Sequence, residues 1–386
     1  MSKNIVICCD GTANEFKKDR TNVVKLFSTL IKDPAVQATY YHPGLGTMAP
    51  PGFVTTLGSR IAELAALAFG YGLNNDIRDA YVFIADNFED GDRLFLFGFS
   101  RGSYTVRAVA ALLHMYGLVP KGNDPLVPYA VRLMWQIHAI QAHHRIGTPA
   151  DPRIGNYFGL ARAFKSTFSR PCKPHFVGVW DTVSSVGWFA NPLSLPYTAH
   201  NPDVAIGRHA VAIDEHRAFF RSNLWVPAAS PDEAGPRDLK QVWFPGVHCD
   251  VGGGYPEPDS GLSKIALQWM IAEAKSAGLM VDDEKVALVL GARGRGFAPA
   301  NADAMLHESL TGPWRLAEYV WKPLWNGQAT EWRANHFARR TWPKQPIVHD
   351  AAWLRGGDYS ERLPPDAVRL GTMGAAAPTG DPALPA

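Results

Sequence analysis

Short, uninterrupted apolar runs recur along the first two thirds of the chain, and polar or turn-forming residues punctuate them. Asn4–Cys9 (NIVICC) stops at Asp10-Gly11, and Ala38–Gly44 (ATYYHPG) stops at its own Pro-Gly pair. Asp92–Gly98 (DRLFLFG) opens on a Gly91-Asp92 turn, Lys173–Asp181 (KPHFVGVWD) closes on an acid, and Leu239–His248 (LKQVWFPGVH) closes on a histidine. Runs apolar at consecutive rather than alternate positions belong to strands covered on both faces. Between them the spacing predicts helices over residues 56–69, 75–88, 101–117, 125–144 and 157–168. A further amphipathic helix follows Ser260, with Leu262, Ile265, Ala266, Trp269 and Met270 on one face and Gly278 as its stop. Strands alternating with helices indicate a mostly parallel sheet with helices on both faces. The expected organisation is one α/β domain over residues 1–370, with insertions around 120–173 and 182–239 that form a cap. The Ala/Pro/Gly-rich stretch 371–386 is expected to be disordered.

The third run ends in a corner with chemical content. Gly98-Phe99-Ser100-Arg101-Gly102 follows a strand and opens a helix, the context in which G-x-S-x-G forms a nucleophile elbow. Such a turn lifts the hydroxyl clear of the sheet, and the flanking glycines avoid collision with neighbouring backbone. The Arg101 amide, at the helix start, is placed for a developing oxyanion. The competing reading is an ordinary corner with Ser100 as helix N-cap.

A serine nucleophile needs a base, and the base an orienting acid. Asp181 and His248 stand at the ends of later runs, in the order acid then histidine, on the sheet edge that carries Ser100. Asp250, two residues past His248, is the secondary candidate for the acid; its alternative role is to organise the turn before Gly252-Gly253-Gly254. The loop Cys9–Glu15 (CDGTANE) is placed for the second oxyanion donor, through Gly11 or Thr12, with Asp10 organising the loop. His138, His143 and His144 lack the spacing of a helical metal pair and are expected at the surface.

Composition narrows the partners. A net charge of +2, from 38 basic and 36 acidic residues, supplies no electrostatic footprint for nucleic acid. The four cysteines (Cys8, Cys9, Cys172, Cys249) form neither a CxxC pair nor a disulfide framework, so neither a metal nor another cofactor is expected. The N-terminus lacks a signal-peptide core, and no apolar run reaches the length of a membrane span. The expectation is a protein cytoplasmic as made, with signal-independent export compatible with the sequence.

Together, CDGTANE, GDRLFLFGFSRGSYTVRA, VWDTVSSVG and FPGVHCDVGGGY resemble the bacterial and fungal α/β-hydrolase family that includes type VI secretion phospholipase effectors. The late block PIVHDAAWLRGGDYSERLPPD is similar to a degraded form of that family's closing segment. The resemblance implies an α/β-hydrolase fold and a Ser–Asp–His triad falling on Ser100, Asp181 and His248, with Asp10, Gly11 and Thr12 near the site. It implies ester hydrolysis of a lipid-like or small ester, with which a transient membrane-surface contact is compatible. Members often carry serine where this chain has Cys249. The large effectors also carry long membrane-docking regions, whereas this chain ends soon after the hydrolase core. Two aromatic stretches, Gly187–Tyr197 and Glu318–Gly327, are candidates for an apolar acyl pocket or for core. The alternatives are a patatin-like Ser–Asp dyad lipase and a catalytically silent hydrolase-fold binding module; oligomeric state is left open.

Overall fold

The computed structural model describes residues 2–11, 20–44, 72–142, 151–183, 187–188, 191–192, 195–218, 220–226, 235–292, 296–312, 314–315, 318–319, 322–325 and 330–371. Its centre is one eight-stranded sheet: β1 (Asn4–Cys9), β2 (Gln37–His42), β3 (Arg93–Phe99), β4 (Pro174–Trp180), β5 (Ile206–Ala212), β6 (Asp238–Phe244), β7 (Ile347–His349) and β8 (Val368–Leu370). The spatial order is β8-β7-β6-β5-β4-β3-β1-β2. Every pairing in it is parallel.

Alternate residues of the inner strands feed two separate cores, which is why their sequences read as continuously apolar. Ile5, Ile7, Leu94, Leu96, Val177 and Val179 pack on one face with α2 (Leu73–Asn87), α3 (Arg101–Tyr116), α4 (Val127–Ala142) and α5 (Pro152–Phe168). Val6, Cys8, Phe95, Phe97, Phe99, Phe176 and Trp180 pack on the other with α1 (Asn22–Thr29) and α7 (Gly261–Ser276). A smaller core, including Val211, Trp243, Val348 and Tyr359, packs at the β5–β7 end of the sheet.

Three expectations need correction. The stretch 182–239 is not wholly an insertion, because it contains β5, a central strand. Its polar Arg208 and His209 disguise it: Arg208 is neutralised by Glu273 and Asp238, and His209 is buried against Gln241 and the Thr182 amide. The fifth run ends as strand at Phe244, and His248 instead opens the short helix α6 (His248–Gly252). His138 is buried on α4 rather than at the surface. The helix expected over 56–69, residue Thr12, His143, His144 and all but the first residue of the expected tail lie outside the described residues, as does much of both aromatic stretches.

From β1 the chain steps outward to β2, then crosses back to β3 on the other side. In an open parallel sheet, such a reversal leaves a crevice beyond the carboxyl ends of the two strands. The Asp10-Gly11 loop and the Ser100 corner are the segments that leave β1 and β3 there.

Candidate active site

Ser100 sits at φ 57° and ψ −119°, a conformation L-residues adopt only when the surroundings impose it. Several contacts impose it here. The Ser100 amide donates to the Trp180 carbonyl at 3.0 Å. The Ser103 hydroxyl, one turn into α3, bonds the carbonyls of Gly98 (2.8 Å) and Trp180 (2.9 Å). A Cβ on Gly98 would lie 2.4 Å from the Gly102 carbonyl oxygen, and one on Gly102 would lie 2.1 Å from that of Cys9. Both glycines are therefore required for clearance. The Ser100 side chain makes no capping bond to α3, which argues against the ordinary-corner reading.

Asp181 and His248 meet directly, with His248 Nδ1 2.5 Å from Asp181 Oδ2. Asp181 leaves β4 at φ 39°, fully buried, and its amide donates to the Ala210 carbonyl at 2.7 Å. The imidazole is held over the Phe99 ring (centroids 4.6 Å) and meets Phe220 edge-on (4.9 Å). Phe99 precedes Ser100, so the nucleophile candidate and the histidine share one aromatic support. Gly252 lies against that support: a Cβ there would fall 1.9 Å from the Phe99 ring. Among the described residues, no hydrogen bond joins the Ser100 hydroxyl to His248; such bonds commonly close only around substrate.

The electrostatics suit a neutral base with an ionised partner. Burial pushes Asp181 upward, but the Arg340 charge and the His248 bond overcome it and hold the carboxyl well below its usual range. Burial lowers the His248 pKa from its ordinary 6.5, opposed by Asp181. With Asp181 ionised, Nδ1 carries the ring proton and Nε2 is the free basic nitrogen.

The remaining candidates are arranged less simply. Asp10 accepts from the hydroxyls of Thr21 (2.6 Å) and Tyr41 (3.0 Å) and from the Gly11 amide (2.7 Å). It thus organises its loop, and the Gly11 N–H is turned onto that carboxylate. The Arg101 side chain is buried towards Asp76; burial brings the guanidinium down to about 10, and burial together with Asp79 raises Asp76 to about 7. The Arg101 amide lies in the first turn of α3, directly after Ser100. Asp250 turns away from His248: it bonds the His307 ring at 2.6 Å and accepts from the Val247 amide at 3.0 Å.

Three contributors were not anticipated. Arg340 forks onto Asp181, Glu215 accepts the His248 amide at 3.2 Å while pairing with Arg217, and His307 holds Asp250. Glu215 and Arg217 were findable as polar residues at a sheet edge once β5 is recognised. Arg340 and His307 carry no local signal, because their partners are distant in the chain. Among the described residues no group of three or more His, Cys, Asp or Glu side chains could hold a metal ion, and no helix is long and apolar enough to cross a membrane.

A family model described as the catalytic domain of Tle1-like type VI secretion phospholipase effectors matches residues 3–273. An uncharacterized Saccharomyces cerevisiae protein, YEL023C, is 35% identical over 234 residues, covering 58% of this chain and 33% of its own. An uncharacterized Pseudomonas aeruginosa protein of known structure is similar at 20% identity and TM-score 0.43, over 74% of this chain and 47% of its own. The Tle1 effector, solved bound to the VgrG spike, is similar at 18% identity and TM-score 0.34, over 68% of this chain and 52% of its own. The chain thus spans about a third of the yeast relative and about half of each solved chain.

Proposed function

The chain belongs to the family of Tle1-like phospholipase effector catalytic domains, and from that premise we propose that it is a serine hydrolase of lipid-like esters. The observation that carries this reading is the 2.5 Å Asp181–His248 contact, buried at the sheet edge where Ser100 occupies its strained corner. In this mechanism Ser100 Oγ attacks the acyl carbonyl as His248 Nε2 takes its proton. Asp181 keeps Nδ1 protonated and stabilises the imidazolium that forms. The oxyanion is met by the Arg101 amide; the Gly11 amide, engaged by Asp10, is not assigned as the second donor. The imidazolium returns its proton to the leaving alcohol. Water, deprotonated by His248, then releases the acid from the acyl-enzyme.

The test is a fluorophosphonate label combined with hydrolysis of p-nitrophenyl butyrate and of phosphatidylglycerol vesicles. Labelling at Ser100 and loss of both activities in Ser100→Ala are expected. Activity surviving Ser100→Ala would sink the mechanism. Activity surviving in His248→Ala would replace the triad with a Ser–Asp dyad, and a folded protein silent on both substrates would favour a binding module.

A further inference from the structure

We propose that Arg340 is a positioning residue for this reaction: it fixes the catalytic acid and the aromatic wall of the base. This inference rests on the triad reading above. Arg340 Nη1 lies 2.5 Å from Asp181 Oδ1, and Nη2 lies 3.0 Å from Oδ2. The Ala212 amide donates to Oδ1 at 2.9 Å, and His248 takes up Oδ2. Each carboxylate oxygen therefore has two partners, the full capacity of an ionised Asp. A buried carboxylate held by one histidine alone is costly, and a planar guanidinium fork answers that cost with two parallel charge-assisted bonds.

Arg340 does more than neutralise. Its Nη1 also donates to the Ala212 carbonyl at 3.0 Å, and Nη2 to the carbonyl of Phe220, whose ring edge meets His248. One side chain thus ties the acid, the end of β5 and the aromatic wall of the base into a single unit. Arg340 lies well beyond residue 273, where the family match ends. The site is completed from outside the matched catalytic domain.

The charge balance has a kinetic consequence. Before reaction, Asp181 and Arg340 cancel. When His248 takes the serine proton, the imidazolium gains the attraction of Asp181 but meets the Arg340 cation behind it. The other charged groups acting on the ring are Glu215 and Arg217 from the loop after β5, which pair with each other. Among the described residues, Arg340 is the one cation bonded directly to the acid.

The experiment is the pH dependence of kcat/KM for p-nitrophenyl butyrate, with folded sites counted by fluorophosphonate titration so that misfolded protein drops out. In Arg340→Met, kcat per titrated site should fall about 10- to 100-fold, and the acid limb should move up by about one pH unit as the opposing cation is lost. Arg340→Lys should return the limb towards wild type without restoring kcat, because a point charge cannot make the fork. Arg208→Met is the structural control: it breaks the buried pair with Glu273, far along β5, and should lower stability without moving the limb. An Arg340→Met limb that coincides with wild type, or Lys and Met variants that behave alike, would overturn the proposal. Ser100→Ala run in parallel separates the two failures, since activity surviving there removes the triad itself.

Discussion

The site region contains two Asp–His pairs of nearly identical contact geometry and opposite electrostatics. His248 Nδ1 meets Asp181 at 2.5 Å, and His307 Nδ1 meets Asp250 at 2.6 Å. Asp181 is nonetheless held well below the ordinary carboxylate range, whereas burial raises Asp250 and its bonds to Val247 and His307 only partly offset that. The difference is the guanidinium. Asp181 has Arg340 forked onto both oxygens; Asp250 has the Val247 and His307 backbone amides and a histidine stacked face to face on Tyr255 at 3.6 Å. A short Asp–His contact therefore does not by itself define a catalytic pair. The surrounding charges, and whether a strained nucleophile shares the same edge, decide what the pair does.

The largest expected effect comes from removing the charge of each acid in turn. Asp181→Asn should reduce kcat by about 10³- to 10⁴-fold, because the amide favours the wrong imidazole tautomer. Asp250→Asn should cost less than about tenfold, through the turn it organises. Ester hydrolysis per titrated site measures both, and equal losses would erase the distinction between the pairs.

A smaller effect is expected from two glycine substitutions that strain one pair each. Gly252→Ala forces the Phe99 ring, and with it the His248 support, to shift, and should lower kcat about 10- to 100-fold. Gly246→Ala, where φ is +106° and a Cβ would lie 2.3 Å from that of Asp250, should lower the urea midpoint while sparing kcat per titrated site. The reverse outcome would assign catalysis to the second pair.

The acid limb of the wild-type kcat/KM profile should have its midpoint below 6.5, since burial lowers the His248 pKa from that value. A midpoint above 6.5 would show that Asp181 outweighs burial and Arg217 together.

The smallest effect is on stability against pH, and it has opposite signs for the two acids. Asp181 is depressed in the fold, so its contribution is present above the unfolded value of about 4 and is lost as pH falls through the folded one. Asp250 is raised, so its contribution is greatest below about 4 and is lost as pH rises through its folded value. Urea midpoints measured from about pH 3 to about pH 7 should show Asp181→Asn flattening the acid-side fall and Asp250→Asn removing the decline on the other side. Matching profiles would contradict the opposite shifts.

Much of the candidate site was legible along the chain. The Ser100 corner could be read because its requirements are local: an apolar strand, two clearances and a helix start lie within a few residues. Asp181 and His248 could be read because each follows an apolar run on the same sheet edge. β5 was missed because its buried Arg208 and His209 look like surface residues until Glu273, Asp238 and Gln241 are brought to them. Gly11 looked like a free amide donor because its bond to the Asp10 carboxylate depends on how the loop turns.

The sequence by itself determined the parallel α/β architecture, the edge on which the site forms and the order of serine, acid and histidine. All three follow from periodicity and from steric rules that act over a few residues. Only the tertiary structure decided which aspartate His248 meets, that Arg340 neutralises it, and that His307 occupies the other. Those outcomes depend on desolvation and charge between groups 57 to 159 residues apart, and such energies exist only once the intervening chain has folded to exclude water.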